Sequence, residues 1–283
     1  WRLWFGPVRE LAVLPFENTA KEPELDYLCE GLADSLIKQI SSLRSFRVRN
    51  LSRVLHFKGQ SVSPVNVGRQ LGVQSVLSGT LELKDRRLVV YAVLTEVSTG
   101  RELWKNTYDR EISREAPTVL GIQEEIAGSI MENGLRLRLT SQERQQLVRR
   151  PTKSGEAYDL YLQARHLQRK ADEESYLQAR ELLKKAVSLD PDFALAWSSL
   201  SGIYAMMVTD GLERPTDAWS YVIKYMKEAE RIDPTMPEVP AYRHALQFLY
   251  LWDWEASART RRELLSMPLD DFDPHVLRAM AVE

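Results

Sequence analysis

Cysteine is almost missing from this chain: Cys29 is the only one in 283 residues. That excludes an internal disulfide framework and any cysteine-based zinc cluster. Long apolar runs are missing too. No stretch approaches the ~18 consecutive apolar residues of a membrane helix. Neither sign of charge dominates, since 38 Lys and Arg stand against 40 Asp and Glu for a formal net charge of −2. Neither half has the basic balance of a nucleic-acid-binding module, so no nucleic acid partner is expected. The four histidines, His56, His166, His244 and His275, are scattered. There is no His-Glu-x-x-His, no Gly-x-Ser-x-Gly and no glycine-rich phosphate loop ending in Gly-Lys-Ser/Thr. Asp270, Asp271 and Asp273 lack the ligand spacing and central glycine of a calcium loop and read as a solvated turn. Cys29 follows a helix start, where its pKa can fall; with no histidine placed to activate it, it reads as a packed side chain. No catalytic residue, metal or cofactor is expected within this chain.

What is present is ordinary globular material. Hydrophobic residues make up 44% and charged residues 28%, and the length suits about two domains. The opening Trp1-Arg2-Leu3-Trp4-Phe5 has the aromatic and basic composition of a chain leaving a membrane, or of a strand packed on a domain. The sequence is read as part of a longer protein, with residues 1–9 a juxtamembrane or linker segment.

Residues 10–148 read as one α/β layer domain in the order β-α-β-α-β-β-β-α, with a mixed sheet. Leu11 to Phe16 is a buried strand. A helix follows from about Asp26, its N-cap, with Leu28, Leu32, Leu36 and Ile40 on one stripe. Phe46 to Arg49 is a second strand. Ser63-Pro64 opens another helix and Gly72 closes it. A meander then runs Val76–Leu83, Leu88–Val97 and Leu103–Tyr108. Its middle strand is apolar on both faces and is expected to be covered on both. A helix from about Thr118 to Leu139 ends the domain. It carries Gly121, Gly128 and Gly134, whose helix cost packing on the sheet must offset.

After a linker at 149–155 the periodicity is helical throughout. Ala186-Val187-Ser188-Leu189-Asp190-Pro191 and Ala229-Glu230-Arg231-Ile232-Asp233-Pro234 repeat at a spacing of 43. That exceeds the ~34 residues of a tetratricopeptide repeat, and the excess is placed in the loop Thr209–Pro215. Trp197-x-x-Leu200-Ser201-x-x-Tyr204 matches the first helix of such a repeat, with small Ser201 where helices cross closely. Residues 156–283 thus read as an all-α tetratricopeptide-type domain of about three repeats, the last incomplete. Trp197, Trp219, Trp252 and Trp254 suit core and turn packing better than an aromatic platform.

These residues carry a resemblance. Residues 10–150 resemble the TolB N-terminal-like domain of multidomain bacterial signalling proteins, through Leu11-Ala12-Val13-Leu14-Pro15-Phe16-Glu17-Asn18 and Asp26-Tyr27-Leu28-Cys29-Glu30-Gly31-Leu32. Further matching stretches are Phe57-Lys58-Gly59, Val67 to Val73, Ser78-Gly79-Thr80-Leu81, Gly100 to Trp104, Tyr108-Asp109-Arg110 and Ile122 to Ile126. The resemblance implies the extracytoplasmic half of a membrane-anchored protein, with a cytoplasmic start as the alternative. Its membrane contact would lie through a segment outside this chain. The effector it implies is a serine/threonine protein kinase, to whose branch Leu135-Arg136-Leu137-Arg138-Leu139-Thr140 is most similar. Adenylate cyclases and winged-helix regulators are other relatives.

The leading reading is therefore a non-catalytic sensory region whose repeats bind a peptide or protein. On the repeat template, groove positions include Tyr158, Tyr161, Arg165, Arg169, Tyr242 and Tyr250, residue types that suit hot-spot binding. The alternatives are a small-molecule sensor, with Glu17, Asn18, Asn50 and Ser52 at the rim beyond the parallel strands, and a free tetratricopeptide adaptor. The oligomeric state is not readable.

Overall fold

The computed structural model describes residues 10–20, 22, 25–43, 46–60, 62–85, 87–111, 118–135, 140–147, 150–236 and 238–266. The segment 1–9, the end of the long helix at 136–139, the acidic run Asp270–Asp273 and the last partial repeat lie outside them. The chain divides into two compact units, 1–150 and 151–283.

The first unit is a mixed α/β layer. Strands β1 (Glu10–Val13), β3 (Arg47–Val48), β4 (Ser75–Lys84), β5 (Arg87–Glu96) and β6 (Glu102–Glu111) lie in the order β3-β1-β4-β5-β6, and β2 (Glu17–Asn18) also pairs with β4. β1 is parallel to β3 and β4, while β4, β5 and β6 form an antiparallel meander. The single strand expected over Leu11–Phe16 is two pieces. Pairing runs to Val13–Leu77, breaks at Pro15, and resumes at Glu17–Thr80. Proline has no N–H to give the ladder.

Helix α1 (Asp26–Ser41) buries Leu28, Leu32, Leu36 and Ile40, as their spacing requires. Asp26 does not cap it. The N-cap is Leu25, with no side-chain hydrogen bond, and the Asp26 carboxylate is used sideways. Two short helices follow, α2 (Leu51–Leu55), which the sequence reading lacked, and α3 (Pro64–Leu71). Ser63 accepts from the Asn66 N–H at the start of α3, and Gly72 ends it at φ +64°.

The middle strand β5 is covered on one face rather than both. Leu88, Val90, Ala92 and Leu94 are buried, but Val89 and Val93 are half-buried and Tyr91 is 36% exposed. Phe16 and α1 pack on the first face, where a Cβ on Gly79 would meet Phe16 at 2.6 Å. Helix α4 (Thr118–Ser129) shares that face through the bond from Trp104 Nε1 to Ser129 Oγ (3.1 Å). On the second face α3 reaches only the Val76 and Val97 end, against Gly68. An eight-residue helix cannot span a ten-residue meander.

The helix expected to run from Thr118 to Leu139 changes form on the way. A π turn (Ile130–Gly134) follows α4, and α5 (Ser141–Leu147) comes after it. A Cβ on Gly134 would lie 3.1 Å from both Leu94 and Trp104, whereas Gly121 and Gly128 face open space. Of these three, only Gly134 owes its place to packing.

The second unit holds six helices among the described residues: α6 (Gly155–Gln168), α7 (Glu173–Leu189), α8 (Ala194–Thr209), α9 (Pro215–Ile232), α10 (Glu238–Leu249) and α11 (Trp254–Leu265). They pack as hairpins, α6 on α7, α8 on α9 and α10 on α11. Ser154, Asp172 and Asp253 cap α6, α7 and α11 by accepting backbone N–H bonds. The 43-residue spacing is not absorbed by a long loop. Helices of 16 and 18 residues take it up, and only Asp210–Arg214 joins them. Ser201 is fully buried and donates to the Val222 carbonyl across the α8–α9 crossing (2.9 Å), so its small size matters where expected. The linker expected over 149–155 ends in ordered structure. Thr152 Oγ1 and the Lys153 N–H both donate to Asp190, and Gly155 already belongs to α6. No helix among the described residues is long and apolar enough to cross a membrane.

Candidate functional site

A polar constellation of the first unit sits where β2 meets α1. Asp26 and Glu30 lie four residues apart on α1, so their carboxylates share a face. Lys58, in the turn after α2, donates to both, at 3.0 Å to Asp26 Oδ2 and 2.7 Å to Glu30 Oε1. Asn18 Nδ2 adds a bond to Asp26 Oδ1 at 2.9 Å and another to the Glu22 carbonyl at 2.6 Å. Glu30 is only 6% exposed, whereas Lys58 and Asp26 reach solvent.

The electrostatics make this corner a latch rather than a reactive centre. Burial pushes the Asp26 carboxyl up, but hydrogen bonds from Asn18 and Lys58 and the lysine's charge outweigh it, so the carboxyl lies below its ordinary range. Burial pulls the Lys58 ammonium down, and its bonds to Glu30 and Asp26 more than reverse that. Lys58 is therefore held cationic and is no nucleophile near neutral pH. The Cys29 thiol beside it is pushed up to about 12, first by burial and then by the Asp26 carboxylate. Buried and raised in this way, Cys29 is a packed side chain rather than an activated thiol.

Of the four rim residues, the structure brings only Asn18 into this corner. Glu17 is exposed on β2. Asn50 accepts the Arg53 N–H as the cap of α2, and Ser52 Oγ donates back to Asn50 Oδ1. Sequence reasoning missed Asp26, Glu30 and Lys58 as a group. The Asp26/Glu30 spacing was available, and Lys58 stood in the matching stretch Phe57-Lys58-Gly59, but nothing local pairs it with α1.

The groove expected in the second unit is largely a core. Tyr158 and Tyr161 are each 3% exposed and pack on one another and on Phe193, with centroids 5.2–6.3 Å apart. Tyr242 is buried, its hydroxyl against Gly202. Arg165 on α6 and Arg169 at its C-cap are half-buried, and Tyr250 alone of the six is exposed, against Trp219 at 5.6 Å. The template assigns faces from one ideal helix crossing, whereas here Tyr158 and Tyr161 pack on Phe193 and Tyr242 packs on Gly202. What it missed is a run of rings on α8 and α9. Trp197 stacks on Tyr225, Tyr225 on Tyr221, and Tyr221 on Tyr204 at 4.9 Å, with the Arg180 guanidinium over Tyr204. Tyr221 and Tyr225, four apart, were the legible signal. Of the tryptophans, Trp219 packs inside, and Trp252 and Trp254 lie exposed at the α10–α11 turn, against one another and Phe248. Among the described residues no group of three or more His, Cys, Asp or Glu side chains is placed to hold a metal ion.

No family model matches the chain. It is 31% identical over 191 residues to a protein named putative adenylate cyclase 3 from Rhizobium meliloti (strain 1021), a match covering 68% of this chain. The matched stretch is 32% of that relative's own length, so this chain spans about a third of it. Solved structures that match part of the chain include the lipoprotein GNA1162 from Neisseria meningitidis, at 18% identity and a TM-score of 0.31, covering 43% of this chain and 94% of that one. The PelC dodecamer from Paraburkholderia phytofirmans matches at 17% identity and a TM-score of 0.33, over 47% of this chain and 91% of that one. TolB from Acinetobacter baumannii matches at 13% identity and a TM-score of 0.29, over 45% of this chain and 28% of that one.

Proposed function

We propose that this chain is the sensory and protein-interaction region of a membrane-anchored bacterial signalling protein, and that catalysis belongs to another part of that protein. The observation that carries the reading is the match to the protein named putative adenylate cyclase 3, in which a stretch like this chain makes up about a third of the length. The first unit, resembling the TolB N-terminal-like domain, acts outside the cytoplasm. The helical hairpins of the second serve as tetratricopeptide-type repeats for a peptide or protein. With Tyr158, Tyr161 and Tyr242 buried, the partner meets Tyr221 and Tyr250, the exposed tyrosines of α9 and the α10 end.

The resemblance around Leu135–Thr140 makes the effector a serine/threonine kinase. The name of the matched relative favours a second reading, an adenylate cyclase. One experiment tests both. The purified 283-residue chain is incubated with ATP and Mg²⁺ beside the full-length protein that contains it. The chain alone is expected to make neither cyclic AMP nor phosphoprotein, and the full-length protein one of them. Turnover by the chain alone overturns the reading, and the full-length product identifies the effector.

A further inference from the structure

We propose that β6 is a dimerisation edge. A second copy of the chain lays its own β6 antiparallel against it, about a two-fold axis at Thr107. Lys105 of each copy then faces Asp109 of the other. Such a dimer goes beyond the sensory role and serves either effector. The edge is long and regular. β6 closes one end of the sheet, and among the described residues β5 is the only strand that pairs with it. It is ten residues long and carries no proline or glycine. Its register shift against β5 lies near its start, opposite Leu94 and Thr95, and pairing is regular from Lys105 to Glu111. Natural sheets blunt an edge with short strands, proline, bulges or charge. Along this stretch only charge is used.

The ladder fixes which backbone groups point outward. Tyr91 turns its carbonyl toward Gly79 on β4, and on the other side it stands opposite Thr107. A strand residue points its N–H and carbonyl to the same side, so Tyr91 bonds to β4 and its pair with Thr107 is a non-bonded one. Thr107, and with it Lys105 and Asp109, therefore presents its N–H and carbonyl away from β5. Two of these groups are held by adjacent side chains. Asn106 Oδ1 accepts from the Thr107 N–H at 3.0 Å, and Arg110 Nη1 donates to the Asp109 carbonyl at 3.0 Å. A strand arriving at the edge replaces both with ladder bonds.

Charge order selects the occupant. Trp104 and Tyr108 bond toward α4, so Lys105, Thr107 and Asp109 put their side chains on the other face. There Arg87 pairs with Asp109 at 2.9 Å and Lys105 with Glu102 at 2.8 Å, all four exposed. Reversal about Thr107 brings Lys105 against Asp109 on both sides of the axis. The signs then alternate, from Arg87 and Asp109 of one copy to Lys105 and Glu102 of the other. An axis at Lys105 or at Asp109 would set like charges together. The edge thus matches its own reversal about Thr107. Exposed ion pairs are weak, so the ladder bonds hold the copies and the charges set the register.

The test is sedimentation velocity of the full chain over a range of concentrations, with the melting temperature as the check on folding. Wild-type protein should pass from monomer to dimer as concentration rises. Lys105→Asp and Asp109→Lys should each weaken the dimer about tenfold, because each sets like charges on both sides of the axis. The double swap restores opposite charges across the axis and should recover most of the affinity. Both positions are exposed, so these variants should melt close to wild type. Thr107→Pro removes an outward N–H, which an edge strand tolerates, and should abolish the dimer. A monomer at every concentration overturns the assignment. So do single variants that dimerise as wild type does, and a double swap no tighter than the singles. A dimer that survives Thr107→Pro lies on another surface, and the β6 proposal falls.

Discussion

The two units secure their helices by different means. Around the sheet of the first, charged side chains tie distant segments together. Lys58 joins Asp26 and Glu30, Arg110 joins Glu125, and Arg150 joins Glu124. Arg49 donates to the Leu71 and Gly72 carbonyls at the end of α3. In the second, Arg180 and Arg243 also pair with Glu213 and Glu230, but rings and small residues fill the helix contacts: the Trp197–Tyr225–Tyr221–Tyr204 run, Tyr242 against Gly202, and Ser201 at a crossing. The contrast follows from backbone accounting. A helical hairpin satisfies its backbone internally, which leaves its faces free for ring packing. A sheet layer has many strand ends, turns and short helices whose polar groups need side-chain partners.

The sharpest way to break the comparison is through two glycines. A Cβ on Gly79 would meet the Tyr91 carbonyl oxygen at 2.1 Å, which is backbone inside a ladder and cannot yield. A Cβ on Gly202 would meet the Tyr242 hydroxyl at 2.2 Å, the far end of a side chain. Gly79→Ala should therefore cost about 3 kcal/mol. Gly202→Ala should cost about 1 kcal/mol or less, since a helical alanine recovers roughly that much. Urea midpoints at constant slope measure both, and equal losses would show that the sheet is no more rigid than the hairpins.

Next in size is the latch. Lys58→Met leaves Glu30, which is nearly buried, without its lysine. The expected loss is about 2 kcal/mol, reduced from the fully buried case because Lys58 and Asp26 are about a third exposed. The sign with pH follows from both partners. The Asp26 carboxyl is lowered from 3.8, so its contribution is present above that value and lost as pH falls through the folded-state pKa. The Lys58 ammonium is raised from 10.5, so its contribution is full below that value and lost as pH rises past it. The gap between wild type and variant should be widest and flat from about pH 5 to 9 and narrow outside that range. A gap independent of pH to both extremes would remove the latch from the account.

Smaller still is Tyr176→Phe. Tyr176 is fully buried, and its hydroxyl donates to Asp210 at 2.8 Å, tying the α8–α9 turn to α7. Losing the bond should cost about 1 kcal/mol, read by chemical denaturation. Least energetic is the thiol. With its pKa near 12, Cys29 should label with iodoacetamide at mildly alkaline pH only as fast as the protein opens, and a rapid native reaction would contradict its burial.

Elements with their own local signals were legible in the sequence. The α1 stripe needs only its four-residue steps, and the Ser63-Pro64 start and Gly72 stop of α3 are local stereochemistry. The Asp190 repeat led to the hairpins, although helix lengths rather than a loop absorbed the extra residues. Misses came where the answer lay elsewhere in the chain. Asp26 looks like a cap until Asn18 and Lys58 claim its carboxylate. β5 looks doubly covered until α3 proves too short to cover its second face.

By itself, then, the sequence determined the element types, the change from α/β to all-α near residue 150, the apolar stripe of α1, and the turns that need glycine or proline. These depend on neighbours within a few residues, where backbone sterics and side-chain periodicity act. Only the tertiary structure decided that Tyr158 and Tyr161 are core and that Trp252 and Trp254 are surface. Only there does Lys58 meet two carboxylates. Whether a given aromatic or charge is buried depends on which distant segment packs against it, and that follows from the packing of whole elements rather than from local propensity.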